Sequence, residues 1–499
     1  MDEAQPKQKS TWADRYISIS ILLISLCFIA IFILGYYEGL NFNFLLSFGT
    51  DDSWCTKGTE SIGDHCFGDY SLFRIIFDQS KMPTPWSGNP GYERLESNYP
   101  AASLLPINLF VWIGKIFDSF TLGRNLYLAL LAASILAPTI WVSRHQWRQR
   151  GAIAFLILGI ASAPFLITLD RGNSTGLLVA PLLLAAIAYM KNQQKKMFIF
   201  IVICILLKPQ MIILVLLFLV YRAFYYMALT ILVSGTLSLF GFVFYNGSLV
   251  ENISDWIKSV NSYNSGSSLL VRFDDGSWPY NLAIGKSTIT VLNLLGYGFS
   301  GPDGVAQLIT DNSTVISITV LVFLSIALLI KGKASNPYYS LVAIITAAAI
   351  IPGVANTYYT VLILVPAAFV LKNPNLGSAA KNSDWLGILD SGNCAEPLRI
   401  KIYNWVTLLA FALILIPLII PIPNSLFTNT TPSPEYVGLL QVLYGPILLF
   451  LFLFSVYNII KSPNLDKSKS TRWALFAKKS SSAFSRSLRS GKSNAAKSR

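Results

Sequence analysis

Histidine is nearly missing from this chain: His65 and His145 are the only two in 499 residues, and the five cysteines are scattered. A zinc or haem site needs several such ligands together, so no metal and no other cofactor is expected. Charge is scarce as well, at 13% of residues against 53% hydrophobic. A set of soluble domains with that make-up would expose too much apolar surface, so that class is excluded. There is no Walker A phosphate loop and no G-x-G-x-x-G at a strand-to-helix junction, so nothing points to nucleotide binding.

What charge there is lies unevenly. The formal net charge is +13. From Lys461 onward there are eleven Lys and Arg against one acid, Asp466, a net +10 in the last segment alone. A Ser/Lys/Arg-rich tail after the final apolar stretch reads as a disordered cytoplasmic segment (461–499) near anionic lipid headgroups, where each basic residue contributes about 1 kcal/mol. It does not read as a nucleic-acid binder.

The apolar stretches and the Lys/Arg clusters between them specify an all-α, polytopic integral membrane protein with about twelve crossings, ten at the fewest. The N-terminal 1–16 is placed inside, and Ile17 to Gly35 reads as a retained signal anchor. A polar outer loop, 37–123, follows, and Ala101 to Phe117 within it is expected to lie along the membrane surface. Crossings are expected near Arg124 to Val142, Ala152 to Leu169 and Thr175 to Met190. Met197 to Tyr221 is interrupted by Lys208-Pro209, and proline breaks the helical ladder, so it reads as two short legs that return Arg222 to the inside. Ala223 to Phe244 leads to a second outer loop, 245–311, with a surface helix near Tyr280 to Leu295. Spans near Val315 to Ile330, Tyr338 to Ile351 and Tyr358 to Leu371 complete a core over 17–371. A C-terminal loop and span pair, 372–460, precedes the tail.

The first outer loop is acidic and holds two cysteines, Cys55 and Cys66. A disulfide between them would contribute roughly 3 kcal/mol on an oxidising face; two free thiols are the alternative. The adjacent pairs Asp51-Asp52 and Asp274-Asp275 have diverging side chains and read as solvated loop acids. An ionisable group at membrane depth is costly and is a functional candidate by default. Lys208, at the helix break, is one, and Asp170 with Arg171, at an outer helix end, are two more.

Five phrases occur in order: Gly68-Asp69-Tyr70, Asn98-Tyr99-Pro100, Arg171-Gly172-Asn173, Leu207-Lys208-Pro209, and Pro352 with Tyr358-Tyr359 before an aliphatic span ending at Pro366. The succession resembles the GT-C membrane glycosyltransferases. It is most similar to glycosyltransferase family 87, the actinobacterial polyprenyl-phosphate-mannose-dependent mannosyltransferases, over roughly residues 15 to 371. One departure is that the family often carries a histidine where this chain has Asn356-Thr357-Tyr358-Tyr359.

The resemblance implies an inverting transfer of a sugar, mannose by analogy, from a polyprenyl-phosphate donor to a glycolipid or glycan acceptor on the outer face of the cytoplasmic membrane. Asp69 would be the general base; as a residue read alone, it is equally a helix N-cap. Lys208, Arg171 and Asn173 would hold the donor phosphate, with local rivals in snorkelling, pairing to Asp170 and capping. Tyr70, Tyr99, Tyr358 and Tyr359 would contact sugar or acceptor, or else sit in the interfacial aromatic belt. Membrane lipids are the only other partners expected. A pentosyl (arabinosyl) transferase or a lipid-linked glycan polymerase of the same architecture is the nearest alternative. A lipid or solute transporter is more distant, because only one broken helix is visible and transporters repeat theirs in two halves.

Overall fold

The computed structural model describes residues 22, 67–71, 86, 99–143, 159–270, 282–294, 308–309, 312–352, 355–372, 398–415, 421–423 and 436–461. Cys55, Cys66, the two adjacent aspartate pairs, the expected signal anchor and the basic tail lie outside these residues.

In chain order the helices are α1 (Gly68–Ser71), α2 (Ala101–Ile116), α3 (Phe120–Ser143), α4 (Ala163–Arg171), α5 (Val179–Met190), α6 (Gln194–Leu207), α7 (Leu217–Val220) and α8 (Phe224–Phe240). They continue as α9 (Leu249–Leu270), α10 (Ile284–Leu294), α11 (Ser313–Lys331), α12 (Pro337–Ile350), α13 (Leu364–Lys372), α14 (Leu398–Leu415) and α15 (Leu439–Lys461). Among the described residues the only strands are a short antiparallel ribbon, β1 (Pro421–Pro423) with β2 (Tyr436–Gly438), closing the Pro/Asn/Thr-rich turn. The regular structure described is otherwise helical.

Four of these segments are long and apolar enough to cross a membrane: Phe120–Ser143, Phe224–Phe244, Ser313–Ala334 and Val442–Lys461. Their outward faces are oily. On α11, Val315, Ile318, Val322, Phe323, Ile326 and Ile330 are all about half exposed or more, while only Leu324, Ala327 and Leu328 are buried. An apolar face of that extent has no place in water, and lipid is its solvent. The opposite extreme is α12, in which every residue from Tyr338 to Ile350 is buried. It is the central post, packed against α15.

The break at Lys208 behaves as its sequence dictates. Pro209 disfavours the α conformation in the residue before it, and Lys208 is extended, at φ −154° and ψ 109°. α6 therefore stops at Leu207, and a 3-10 segment, Pro209–Leu216, leads into α7. The chain then turns back on itself. The Tyr221 hydroxyl donates to the Tyr189 carbonyl at 2.7 Å, so the residues after α7 meet those before α6. Two short legs with Lys208 at their apex is the expected arrangement.

Several features were not anticipated. α2, at 16 residues, spans roughly 24 Å, short of a hydrocarbon core of about 30 Å. Yet it is no isolated surface helix: it packs against α3, α6 and α8, and Ser103 Oγ donates to the Leu206 carbonyl at 2.9 Å. The second outer loop contains the 22-residue α9, opened by a reciprocal pair. Ser248 N–H donates to Glu251 Oε2 at 3.0 Å, and Glu251 N–H donates to Ser248 Oγ at 3.2 Å. Those hydrogen bonds hold the Glu251 carboxyl below its ordinary range. Helix breaks also occur at Ser162, at Gly172-Asn173 and between α12 and Thr357, so Lys208 is one of several. Contrary to expectation, the count of breaks does not set the chain apart from a transporter.

Candidate functional site

Three of the breaks deliver their residues to one place, and the local sequence explains each. At Arg171-Gly172-Asn173, α4 ends in a left-handed Gly172, φ +64°, whose N–H donates to the Leu169 carbonyl at 2.9 Å. Glycine adopts that conformation without strain, which is why it stands between the two polar residues. Asn173 then caps the 3-10 segment Ser174–Leu178, its Oδ1 accepting from Thr175 N–H at 2.8 Å. The Tyr127 hydroxyl pins the turn by donating to the Gly172 carbonyl at 3.0 Å.

Asp69 reaches this turn from the outer loop. Phe67, in the left-handed region at φ +48°, lies over Gly172 and under the Arg124 guanidinium, and α1 starts directly after it. Asp69 is the second residue of α1, not its cap, and its carboxylate turns outward from the helix to partners on the next turn of structure. Arg171 Nε donates to Oδ1 at 2.9 Å, and Asn173 Nδ2 donates to Oδ2. The cap reading of Asp69 is thus replaced by an ion pair across 102 residues. Both side chains keep an opening to the outside, with Arg171 17% and Asp69 19% exposed.

Lys208 is the floor of the same network and has no exposure at all. Its ammonium donates to Thr175 Oγ1 at 2.7 Å, to the Tyr99 hydroxyl at 2.9 Å and to Asn173 Oδ1 at 3.5 Å. The rings of Tyr99, Tyr358 and Tyr359 surround it, with centroids 4.7, 5.2 and 4.7 Å from Nζ. Buried this far, a cation needs such partners: charge-assisted hydrogen bonds contribute about 1.5–3 kcal/mol each, and desolvated cation–π contacts about 2. Tyr358 and Tyr359 open the 3-10 segment Thr357–Ile363, held by Thr168 Oγ1 donating to the Tyr358 carbonyl at 3.3 Å and Asn356 Nδ2 donating to the Tyr358 hydroxyl at 3.2 Å. The three tyrosines are therefore around the lysine and not in a peripheral belt.

Arg171 sits differently from its sequence assignment: its Nε is turned to Asp69, so it bears on the carboxylate first. Tyr70 does not face the network. Its ring is fully buried, 5.0 Å from Tyr127 and 5.3 Å from Phe120, and burial pushes its phenol well up. It packs the core beneath Asp69.

Two participants went unnoticed in the sequence. Thr175 makes the shortest contact to Lys208, and the signal was there in its place two residues after Asn173. Trp86 donates from Nε1 to the Tyr99 carbonyl at 2.9 Å while its indole packs on Phe242 and Tyr245, 4.8 and 5.0 Å between centroids. A lone tryptophan in a polar loop gave no such indication.

Beside Lys208 opens an apolar groove of about 630 Å³, between α2, α3 and α6. Leu206 and Leu207 line it directly before the lysine, with Leu105, Leu109 and Trp112 from α2 and Phe244 at the end of α8. Among the described residues no cluster of three or more His, Cys, Asp or Glu is placed to hold a metal ion.

No protein-family model and no curated protein matches this chain. What the site can do rests on its geometry: a carboxylate at an open mouth, one amide deeper, and a fully buried ammonium at the floor, flanked by an oily groove.

Proposed function

We propose that this protein is an inverting glycosyltransferase of the GT-C kind, moving a sugar from a polyprenyl-phosphate donor to a glycolipid or glycan acceptor. One observation carries the reading: Asp69, Asn173 and Lys208 form a continuous hydrogen-bonded line from a partly exposed carboxylate to a buried cation.

The charges of that line suit the substrate. Asp69 and Arg171 neutralise one another, leaving the single positive charge of Lys208. A sugar phosphodiester carries one negative charge, which the ammonium and the hydroxyls of Thr175 and Tyr99 receive without further compensation. The groove offers the isoprenoid tail an apolar bed that begins at Leu207, the residue before the cation. The acceptor approaches from the open side. Its hydroxyl oxygen attacks the anomeric carbon, its proton passes to Asp69, and the bond from that carbon to the phosphate oxygen breaks with its electron pair leaving on the phosphate. Attack and departure on opposite faces invert the anomeric centre. Mannose is the sugar favoured by the resemblance in the motifs, and the outer face of the cytoplasmic membrane is the side favoured by the Lys/Arg distribution.

The test is transfer itself. Purified protein is incubated with labelled polyprenyl-phosphate-mannose, then with the pentose equivalent, across a panel of lipid and glycan acceptors. Product of inverted configuration from either donor supports the reading. Retention, or label that crosses vesicles unreacted, would contradict it, the latter in favour of a transporter.

A further inference from the structure

Asn173 is the one side chain that touches both charges of the site. Nδ2 donates to Asp69 Oδ2, while Oδ1 accepts from Thr175 N–H at 2.8 Å and from Lys208 at 3.5 Å. The orientation of the amide is fixed by its neighbours, because a backbone N–H and an ammonium can only donate and a carboxylate can only accept.

The proton count around Lys208 has a consequence. An ammonium has three protons and no lone pair. Thr175, Tyr99 and Asn173 take all three, so a phosphate oxygen arriving at Lys208 displaces one of them. Asn173, at 3.5 Å, holds its proton at the edge of hydrogen-bonding range and is the weakest of the three. Asp69 is in a matching position, since Arg171 Nε occupies Oδ1 and Asn173 Nδ2 occupies Oδ2.

Resting on the lipid-phosphate reading above, we propose that Asn173 is a positioning residue that couples the two halves of the site, releasing Asp69 only when the donor phosphate is seated. A phosphate oxygen that takes the lysine proton also faces the Asn173 carbonyl, and two acceptors in contact repel. Rotation about the terminal side-chain torsion, which is soft and roughly two-fold in asparagine, relieves this by presenting Nδ2 to the phosphate. The same rotation withdraws Nδ2 from Asp69 Oδ2, and the freed oxygen can accept the proton of the acceptor hydroxyl. The donor then binds before deprotonation is possible.

The experiment measures binding of an unglycosylated polyprenyl phosphate to the full-length protein in detergent, for wild type, Asp69→Asn, Asn173→Ser and the double variant. Asp69→Asn loosens the amide from its carboxylate and removes a nearby negative charge, so it tightens binding in the wild-type background. In the Asn173→Ser background only the charge remains to act. The two tightening factors are expected to differ by about threefold or more. Equal factors overturn the coupling and leave sugar transfer standing; no binding by the wild type overturns both. A structure of the wild type with polyprenyl phosphate bound tests the coupling without any substitution. Asn173 Nδ2 is expected on a phosphate oxygen, and Asn173 still on Asp69 with phosphate seated at Lys208 would overturn the coupling.

Discussion

Arg171 Nε lies 2.9 Å from Asp69 Oδ1, joining the end of α4 to an outer-loop residue 102 positions earlier. The guanidinium therefore acts on the carboxylate before it can act on a phosphate. Arg171→Lys keeps the charge and loses the fixed planar fork. Turnover is expected to fall about tenfold with the donor KM nearly unchanged, about 1.4 kcal/mol of transition-state stabilisation. A rise in donor KM at constant turnover would return Arg171 to the phosphate.

Thr175 and Lys208 make the closest contact in the floor of the site, 2.7 Å. Thr175→Val preserves shape and removes the hydroxyl, leaving one ammonium proton without its partner. Donor affinity is expected to drop roughly tenfold, in line with about 1.5 kcal/mol for a charge-assisted hydrogen bond. Thr175→Ser should restore most of it. Isothermal titration with a polyprenyl phosphate distinguishes the pair, and equal affinities in the two variants would mean the hydroxyl is idle.

The groove sets an expectation about tails. Leu105 lines it away from the ionic network, and Leu105→Trp fills part of its volume. Activity with a long-chain prenyl donor is expected to fall several-fold while a donor truncated to one or two isoprene units is used as before. Uniform loss with both donors would place the tail elsewhere.

Two glycines of the α8 hairpin separate packing from propensity. A Cβ on Gly241 would come within 2.8 Å of the Ala102 backbone nitrogen, which cannot rotate away, so Gly241→Ala should cost about 1–3 kcal/mol. Gly235, inside α8, has nothing within 4 Å of the added atom. Gly235→Ala should stabilise by up to about 1 kcal/mol through helix propensity alone. Thermal unfolding in detergent reads both signs, and a stabilised Gly241→Ala would contradict the close approach of α8 to α2.

Much of this architecture was legible in the residues because its causes are local. Lys208-Pro209 breaks a helix by proline sterics, and basic residues on either side of the break indicated that the chain would return. The Tyr221 to Tyr189 hydrogen bond shows that it does. Arg171-Gly172-Asn173 likewise encodes a helix stop, a left-handed turn and a new cap within three residues. What was not legible depends on distant partners. That Asp69 would meet Arg171, that Thr175 would complete the Lys208 shell and that Trp86 would hold Tyr99 are consequences of how α1, α4 and α6 pack, and no spacing along the chain expresses them. α9 is the exception, for Ser248 and Glu251 three residues apart are a readable capping pair.

The carboxylate of Asp69 and the buried cation of Lys208 are proposed to serve a single transfer. The most direct measurement is the rate at which labelled mannose leaves polyprenyl phosphate for an acceptor in membranes carrying equal amounts of wild type, Asp69→Asn or Lys208→Met. A fall of roughly 100- to 10,000-fold is predicted for Asp69→Asn, with no loss of donor binding. For Lys208→Met, donor binding itself is predicted to be lost. Wild-type rates in Asp69→Asn, or undiminished donor binding in a folded Lys208→Met protein, would contradict the shared role.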